Sequence, residues 1–566
     1  MFWPSLREAL ATKQSHKTMD ILNKILPRVR KPSRYINSEW NSVHKKTADV
    51  SVCLCFPDLY ELGASNLGVE ILYHVINGRK DSLAERCYCP DVDFEEILRK
   101  EGICLFSLES MRPLGEFDVL GFSLQYELCF TNVLTMLDLA GIPWTRKERD
   151  ERSSSGGVVP LVIAGGPVCF NPAPVEDFFD AFVIGDGEDV INEILDVVGR
   201  NKSGDGSAGR SNNQAGMPAG RRKVLDELSR IKGVYVPGHN GGAPVERRIV
   251  ELEKAFFPVR PIVPYVETVH NRLNVEINRG CVFGCKFCHA SRIYSPWRER
   301  SVETVLKLIK EGIANTGYNE VSLSSFCVSH YSGISELLRN INPEIFISVP
   351  SLRCDSRSVE ILRYLVSPHR ANLTFAVESG TERLREYVHK NITDASISET
   401  ILTAYNLGWR LVKLYFMIGL PTETDEDIQG IVALVKKLRK MTPGMRYNIT
   451  ISPFVPKPHT PFQREVMCPE EILMSRRNTL IRQLKANVKA HNIKMSVLEA
   501  VFARGDKGLS SVIMSAWKNG ARFDNWKEKF LPDAWEKAFL ETGIIKHQYL
   551  EGIPAEKPLP WDFVKI

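Results

Sequence analysis

The sequence of this 566-residue chain predicts an α/β protein with an N-terminal doubly wound parallel sheet, a central partial barrel of six strand–helix units and a C-terminal helical tail. Two observations predict this class. Apolar runs typical of buried strands alternate with amphipathic segments over most of the chain, which indicates parallel strands joined by crossover helices. The chain also exceeds about 250 to 300 residues, the size at which single cores stop growing. We therefore predict five segments: an arm (1–47), a first domain (48–198), a flexible loop and linker (199–267), a second domain (268–463) and a helical region (464–566).

The first domain is predicted from its apolar runs. A helix is expected near 19–26 in the arm before it, and helices are expected at 66–77 and 131–140 inside it. The predicted strands are 50–56, 117–124, 160–164 and 181–184. Strands in this order form a parallel sheet that binds ligands at the carboxyl ends of its strands.

Small residues follow these strands, and they are the candidate ligand-contacting positions of the first domain: Gly121, Ser123, Gly165, Gly166, Gly185 and Gly187. Glycine at a strand end lets a ligand lie against the backbone. Glycine at the same place also makes tight turns, and the sequence leaves both interpretations open.

The second domain has six predicted strands, at 273–277, 320–323, 345–349, 372–377, 410–418 and 446–451. Helical segments separate them, as in a partial barrel. The active sites of such barrels lie at the carboxyl ends of the strands. The residues that end these strands are therefore the ones to examine.

A loop with three cysteines follows the first of these strands. Cys281, Cys285 and Cys288 have C-x₃-C-x₂-C spacing, which is too tight for two disulfides and has no fourth cysteine nearby for a closed zinc site. Three thiolates that hold one iron–sulfur cluster explain the spacing best. A zinc knuckle with His289 as the fourth ligand, or an accident of composition, are the alternatives.

The other strands of the second domain also end in polar residues. Ser324 and Ser325 follow the second strand, Arg353 the third and Glu378 the fourth. In the fifth strand, period-two alternation places Lys413, Tyr415 and Met417 on one face. Lys413 and Tyr415 are candidates for contact with substrate, and a role in the core is the alternative. Glu378 and Arg353 each have a structural alternative to ligand binding. Glu378 could cap the following helix, and Arg353 could form an ion pair with Asp355.

The second domain resembles the radical S-adenosylmethionine (radical SAM) superfamily. The resemblance rests on the cysteine spacing with Phe287 before the last cysteine, followed in order by Glu378-Ser-Gly-Thr381, Gly419-Leu-Pro-Thr-Glu-Thr424 and Ser452-Pro-Phe-Val-Pro-Lys-Pro-His-Thr-Pro461. It implies a 4Fe-4S cluster on the three cysteines, with one open iron that chelates S-adenosylmethionine (SAM). It also implies SAM contacts from Glu378 and Arg353 (sugar and methionine ends), Ser324 and Ser325 (amino group), Phe287 (adenine) and Met417, and an electron donor such as flavodoxin or ferredoxin.

The first domain is similar to the cobalamin-binding-type domain that precedes the barrel in one class of radical SAM enzymes. The similarity rests on Ile163-Ala-Gly-Gly-Pro167, Asn171-Pro-Ala-Pro-Val-Glu176 and Ala181-Phe-Val-Ile-Gly-Asp-Gly-Glu188. It implies cobalamin as a cofactor, with the glycine loops around the corrin and its nucleotide tail. The D-x-H-x-x-G signature that supplies a histidine to cobalt is absent, because the equivalent loop reads Phe56-Pro-Asp-Leu-Tyr-Glu-Leu-Gly63.

The whole chain resembles an uncharacterised bacterial family of such proteins, whose members commonly continue past the Leu559-Pro-Trp-Asp562 string. A separately encoded partner domain is therefore an expectation. The predicted function is reductive SAM cleavage with cobalamin-assisted methyl transfer or related carbon functionalisation of a small-molecule or macromolecular substrate. The alternatives are cobalamin-independent hydrogen abstraction or thiolation, and a non-catalytic RNA- or ribosome-associated protein. The basic helix predicted at 469–492 favours the last alternative, although a solvated charged face explains it as well.

Composition limits which partners and which cellular location the sequence predicts. A net charge of +5 leaves nucleic acid open as a partner without indicating it, and no apolar run is long enough to span a bilayer. We expect a cytoplasmic protein without membrane partners. Most of the ten other cysteines lie inside apolar runs, which predicts free buried thiols in a reducing compartment. Cys53, Cys55, Cys87 and Cys89 form two C-x-C pairs that suggest a second metal site, but buried strands explain them better.

Overall fold

The computed structural model describes residues 24–203, 220–349, 352–365 and 373–566. Most of the helix predicted at 19–26 and most of the loop predicted at 199–222 lie outside the described residues. Within them, the arm contains 3₁₀ turns at Leu26–Arg28 and Pro32–Tyr35. The arm is not confined to the surface, because the buried Arg34 side chain pairs with Glu61 and Asp91.

The N-terminal domain is a six-stranded sheet in the order β2-β1-β3-β4-β5-β6, parallel except for β6. Its strands are β1 (Val50–Phe56), β2 (Ser82–Tyr88), β3 (Val119–Ser123), β4 (Leu161–Gly165), β5 (Ala181–Val183) and β6 (Val234–Tyr235). Its helices are α1 (Tyr60–Gly63), α2 (Leu67–Gly78), α3 (Val92–Glu101), α4 (Phe130–Leu139), α5 (Arg146–Ser154), α6 (Val190–Ser203) and α7 (Arg221–Leu228). The predicted doubly wound sheet is confirmed, and β2 is a strand that the sequence analysis missed.

The second domain is built on seven parallel strands. One sheet has the order β12-β11-β8 and the other β13-β14-β15-β16, and a parallel bridge between Leu352 and Phe375 joins them. The strands are β8 (Leu273–Glu276), β11 (Glu320–Ser324), β12 (Phe346–Ser348), β13 (Leu373–Glu378), β14 (Leu411–Ile418), β15 (Arg446–Pro453) and β16 (Asn487–Ala490). The short strands β7 (Val245–Glu246), β9 (Asn278–Arg279) and β10 (Arg298–Glu299) lie outside this array.

Helices surround the barrel and also form most of the C-terminal region. The barrel helices are α8 (Ala290–Ile293), α9 (Val302–Thr316), α10 (Ile334–Asn340), α11 (Ser356–Leu362), α12 (Glu382–Tyr387), α13 (Asp394–Asn406) and α14 (Asp425–Met441). The C-terminal elements are α15 (Glu470–Leu484), α16 (Ile493–Ala503), α17 (Leu509–Lys518), α18 (Pro532–Thr542) and β17 (Val564–Lys565), which pairs with β7.

The helix predicted at 469–492 is wrong in its second half. Helix α15 ends at Leu484, Lys485 adopts a left-handed conformation, and residues 487–490 form β16 beside β15. The basic side chains of this segment are also not all solvated, because Arg476 donates to the buried Glu423 carboxylate at 2.7 Å. The barrel therefore has a seventh strand where the sequence predicted helix.

The C-terminal helices pack against the N-terminal domain. A single apolar core contains Phe122 and Phe130 of that domain together with Phe502 of α16, Ile513 of α17 and Trp535 of α18. The barrel has its own core between its strands and surrounding helices. Among the described residues, no helix has the length and apolar character needed to cross a bilayer.

Candidate active site

The carboxyl ends of the two parallel sheets face each other. Three contacts between the domains establish this. Lys457, after β15, pairs with Glu127, after β3, at 2.7 Å. His459 lies 3.0 Å from the carbonyl oxygen of Phe170, which follows β4. The edges at which each sheet type binds ligands are therefore directed at a common region.

The third contact adjoins the cysteine loop, residues 281–288. Arg279, two residues before Cys281, pairs with Asp186 at 2.8 Å and with Glu188 at 2.7 Å, both in the loop after β5. Arg279 also pairs with Glu276 at the end of β8. Burial alone would raise the pKa of Asp186, but the two guanidinium groups of Arg279 and Arg298 outweigh it and hold that pKa below its ordinary value. This buried network fixes the start of the cysteine loop against the N-terminal domain.

The cysteine loop is held from the barrel side by residues 388–391. The backbone N–H of Lys286 donates to the carbonyl of Val388 at 3.0 Å, and the Cys285 thiol lies 3.6 Å from the carbonyl of His389. Burial raises the pKa of the Cys285 thiol to about 11, and the nearby Lys390 ammonium opposes this. A cation beside the loop favours the thiolate form that metal binding requires.

Lys390 forms a buried ion pair with Glu378. Its ammonium lies 2.9 Å from a carboxylate oxygen of Glu378, and both side chains are about one-eighth exposed, at 12%. Burial alone would lower the pKa of Lys390, but Glu378 and Cys285 outweigh it and the pKa is raised. Glu378 has φ of +72°, which is uncommon for a residue other than glycine and is typical of functional sites. The capping alternative for Glu378 finds no support, because Thr381 caps the next helix, α12.

Arg353 is occupied by contacts within the chain. Its guanidinium lies over the Phe283 ring of the cysteine loop at 3.9 Å and donates to the carbonyl of Asn391 at 3.0 Å. A weaker pair with Asp355, at 3.7 Å, is also present. Arg353 therefore does more than pair with Asp355, and it links the cysteine loop to residues 390–391.

The remaining barrel candidates lie in the cysteine loop, on β14 and at the end of β11. Phe287 and Met417 pack against one small apolar cluster that contains Leu384 and Phe454. On β14 the residues alternate between half-buried and buried, so Lys413, Tyr415 and Met417 share a face, and the Lys413 ammonium lies 4.7 Å from the Tyr415 ring. Ser324 and Ser325 end β11, and the Ser325 hydroxyl accepts a hydrogen bond from the Cys327 N–H at 2.9 Å.

The N-terminal candidates fall into two groups. Gly166 and Gly185 have positive φ, and a Cβ atom there would lie 2.5 Å from the Leu124 oxygen and 2.2 Å from the Arg248 oxygen, respectively. No side chain fits at either position, so close contacts within the chain require glycine there, as the turn interpretation predicts. At Gly165 the nearest atom to an added Cβ would be a Val183 carbon at 3.8 Å, an ordinary contact. Gly121, Ser123, Gly165 and Gly187 are half-buried near the ends of buried strands. A Cβ atom would lie 3.3 Å from a Leu54 carbon at Gly121 and 3.2 Å from a Leu72 carbon at Gly187, so Gly165 has the most room of the three glycines.

Among these residues Gly165 fits the nucleotide tail of a cobalamin best, because the tail needs room beside the backbone. The loop that replaces D-x-H-x-x-G offers no ligand to cobalt. Its Asp58 is fully buried and accepts hydrogen bonds from Tyr126, from Asn525 at 2.8 Å and from Trp526 at 2.9 Å. The C-terminal region therefore closes the end of β1.

The alternative metal sites find no support among the described residues. Nowhere in them do three His, Cys, Asp or Glu side chains converge on one metal ion. That arrangement is expected for a zinc knuckle, whereas the thiolates of an iron–sulfur cluster bind different irons and lie further apart. His289 contacts the Phe170 ring, and its buried Nε2 has no hydrogen-bond partner among the described residues. Cys53, Cys55, Cys87 and Cys89 are buried in β1 and after or within β2, as the strand interpretation predicts.

Sequence reasoning missed several residues of this region. Lys390, Arg279 and His330 were not selected, and Cys327 was counted only as a buried thiol. Lys390, Arg279 and His330 each contact a residue more than 30 positions away in the sequence, and Cys327 contacts His330. Such long-range contacts form only on folding, so sequence patterns do not reveal them. One signal was available: Lys390 follows Glu378 by twelve residues, after a short helix that returns the chain toward the strand end.

Comparisons with known proteins agree with this architecture. Residues 68–237 match the family model of the N-terminal domain of radical SAM proteins, and residues 275–435 match that of the radical SAM superfamily. The fold is that of radical SAM methyltransferase TsrM from Kitasatospora setae (TM-score 0.50, 13% identity, 74% of each chain). It is also that of the cobalamin-dependent SAM radical enzyme OxsB (TM-score 0.50, 13% identity, 88% of this chain and 71% of that one).

Two relatives are similar to this chain in sequence. An uncharacterized protein of Methanocaldococcus jannaschii is 27% identical over 506 residues, which cover 88% of this chain and 98% of that protein. An uncharacterized methyltransferase of Pyrococcus horikoshii is 26% identical over 286 residues, 49% of this chain and 58% of that protein. The fold and the two matched domains define a radical SAM enzyme. The chain belongs to the radical SAM superfamily, whose members use a 4Fe-4S cluster and SAM.

Proposed function

We propose that this enzyme cleaves SAM reductively at a cluster held by Cys281, Cys285 and Cys288, and that it transfers a methyl group with the help of cobalamin. The observation that carries this proposal is the opposition of the two carboxyl edges. The accessible small residues of the N-terminal sheet face the mouth of the barrel that carries the cysteine loop. Two cofactors bound at these edges would share one reaction space.

The bound groups supply the redox chemistry: the cluster provides the electron that breaks the sulfonium of SAM, and cobalamin provides a methyl carrier. The chain supplies position and charge. Lys390 keeps a positive charge beside the thiolates, and the interdomain pairs of Arg279 hold the start of the cysteine loop. Glu378, oriented by Lys390, presents carboxylate at the end of β13 for the polar groups of SAM.

Phe287 and Met417 form an apolar wall for the adenine, and Lys413 and Tyr415 face the space left for substrate. In the N-terminal domain, Gly121, Ser123, Gly165 and Gly187 would border the nucleotide tail of cobalamin. Gly166 and Gly185 are assigned to the turns of the chain instead. Electrons would come from a one-electron donor such as flavodoxin or ferredoxin.

The test uses anaerobically reconstituted protein with excess hydroxocobalamin, followed by desalting, iron analysis and an absorption spectrum. We expect wild-type protein to retain both iron and corrinoid. Gly165→Val adds a side chain that the fold accepts but that occupies the accessible space, so we expect loss of corrinoid with iron retained. Gly78→Ala, at a position with no atom within 4 Å of the added Cβ, is the matched control and keeps both.

Wild-type protein that retains iron but no corrinoid would contradict the cobalamin part of the proposal. Radical SAM hydrogen abstraction or thiolation without cobalamin would then take its place. Protein that binds no iron would contradict the proposal altogether.

A further inference from the structure

A cysteine outside the C-x₃-C-x₂-C spacing lies at the same mouth of the barrel. Cys327 follows β11, the strand next to the one that leads into the cysteine loop. Its side chain is 5% exposed, and its neighbour His330 contacts the Phe283 ring of the cysteine loop. Cys327 is therefore placed beside the cluster site without belonging to the spacing that would hold the cluster.

Cys327 is oriented by a chain of polar groups. Its sulfur lies 3.3 Å from Nδ1 of His330, and Nε2 of His330 lies 3.9 Å from the carboxylate of Asp355. The carboxylate oxygen of Asp355 that faces His330 is buried and has no hydrogen-bond partner among the described residues. The His330 ring also meets the ring of Phe283, in the cysteine loop, with centroids 4.6 Å apart. The thiol, imidazole and carboxylate thus follow one another from the cysteine loop outward.

We propose that Cys327 is a hydrogen-atom donor to the carbon radical formed at this site. The S–H bond of cysteine is a weak bond to exchangeable hydrogen, far weaker than aliphatic O–H or ammonium N–H bonds. The phenolic O–H of tyrosine is the other weak bond of this kind, so the Cys327 variant decides which group donates. The C5′ radical of the deoxyadenosyl group forms a C–H bond as the Cys327 S–H bond breaks, which gives 5′-deoxyadenosine and a thiyl radical. One electron from the donor that reduces the cluster, and one proton from solvent, restore the thiol.

The surroundings favour hydrogen-atom transfer over nucleophilic attack. Burial raises the pKa of the Cys327 thiol, and burial lowers the pKa of His330. A neutral thiol keeps its hydrogen atom, whereas a nucleophile would need the thiolate. The Ser329 hydroxyl also lies 3.2 Å from Nδ1 of His330, so thiol and hydroxyl share this ring nitrogen. His330 and Asp355 act here as positioning residues. The inference rests on the SAM cleavage of the proposed function and is independent of cobalamin.

The decisive experiment is SAM cleavage without substrate in D₂O, with dithionite as the reductant and mass spectrometry of the 5′-deoxyadenosine. Thiols exchange with solvent, so wild-type protein should yield 5′-deoxyadenosine with a single deuterium. Cys327→Ala should lose this label in whatever product it forms. Cys354→Ala removes a fully buried thiol of the barrel core nearby and should keep the label. Unlabelled product from wild-type protein, or equal labelling in Cys327→Ala, overturns the proposal.

His330 is tested with the same label. His330→Ala should lower the labelled fraction, and His330→Asn, which restores an acceptor near the position of Nδ1, should recover it. A purely structural role would not make the label depend on the acceptor. Equal labelling in both His330 variants would overturn the positioning role.

A second readout does not depend on turnover. Iodoacetamide is added to anaerobic, reconstituted protein with and without SAM, and alkylation is followed peptide by peptide. Because Cys327 is buried and its pKa is raised, its alkylation is slow and is followed over a long incubation at alkaline pH; SAM should slow it further and leave that of the exposed Cys104 unchanged. No effect of SAM on Cys327 overturns the inference. If no 5′-deoxyadenosine is formed at all, the proposed function fails, and this experiment still decides where Cys327 lies relative to SAM.

Discussion

Lys457 is the residue whose removal tests how the two ligand-binding edges are held together. Its side chain is 17% exposed and pairs with two carboxylates, Glu127 of the N-terminal domain at 2.7 Å and Glu499 of the C-terminal region at 2.8 Å. Burial alone would lower the pKa of Lys457, but the two carboxylates outweigh it, so the pKa is raised and the ammonium stays charged. One side chain therefore links three parts of the chain.

The substitution Lys457→Met keeps the volume and removes the charge. It leaves two neighbouring carboxylates without a counter-charge, of which Glu127 is 6% exposed. Removal of one partner from a buried ion pair costs about 3 to 5 kcal/mol. Because a tenfold change corresponds to about 1.4 kcal/mol, opening of the interface should become more frequent by roughly two to four orders of magnitude.

Hydrogen exchange measured by mass spectrometry is the appropriate assay, because a chain with several domains does not unfold in two states. The backbone amides of α16, which carries Glu499, should lose protection in Lys457→Met. Lys507→Met is the control: Lys507 is 55% exposed and its pairs with Glu176 and Asp177 are 3.7 and 3.3 Å long. An exposed pair contributes less than about 1 kcal/mol, so exchange in the control should change less than tenfold.

Neutralising the freed carboxylates should restore the interface. The triple variant Lys457→Met, Glu127→Gln, Glu499→Gln should recover most of the protection, since a neutral group avoids the cost of an unpaired buried charge. If Lys457→Met exchanges no faster than Lys507→Met, the ion pairs do not hold the interface and the reasoning is refuted.

Three further predictions concern the cofactors. Replacement of the three cysteines of the 281–288 loop by Ala should abolish iron binding and 5′-deoxyadenosine formation while circular dichroism stays unchanged, and a variant that retains four irons would refute the ligand assignment. Glu378→Gln should weaken SAM binding, measured by equilibrium dialysis, by roughly 1.5 to 3 kcal/mol, the value of a charge-assisted hydrogen bond. Glu382→Gln, on the following helix, is the control. If the two variants bind SAM with equal affinity, Glu378 has only a structural role. Bound cobalamin, reduced to cobalt(II), should show no nitrogen hyperfine splitting from a protein histidine in electron paramagnetic resonance, because the loop 56–63 that replaces D-x-H-x-x-G contains no histidine. Such splitting would contradict that assignment.

The predicted elements of the N-terminal sheet agree closely with the structure where periodicity is strong. Strand β1 was predicted with the observed limits, and the helix predicted at 66–77 lies within one residue of α2. Strand β2 was missed because its sequence, Ser82-Leu-Ala-Glu-Arg-Cys-Tyr88, carries two charged residues in mid-strand. Both are buried: Arg86 pairs with Glu109 at 2.7 Å, and Glu85 accepts from Ser107 at 2.5 Å. Only tertiary partners make such charges compatible with a buried strand.

Strand β16 shows the opposite error. The helical period of α15 continues through 487–490, so the sequence predicted one long helix. The left-handed conformation of Lys485 ends that helix, and pairing with β15 places the following residues in the sheet. A four-residue strand has too little pattern of its own to be distinguished from helix, and its neighbour decides.

The sequence by itself determined the class of chemistry. The spacing of Cys281, Cys285 and Cys288 and the order of the strand-end motifs are local properties of the chain, and they do not depend on packing. The tertiary structure decided which residues surround that loop. Lys390, Arg279 and the pair of Cys327 with His330 gain their roles from segments brought together by folding, as the contact between Cys285 and His389 across 104 positions illustrates. The tertiary structure also decided which glycines could accept a side chain. A Cβ atom at Gly166 or Gly185 would collide with the chain's own backbone, whereas at Gly165 it would make only an ordinary contact. Only the distances between folded segments distinguish these cases.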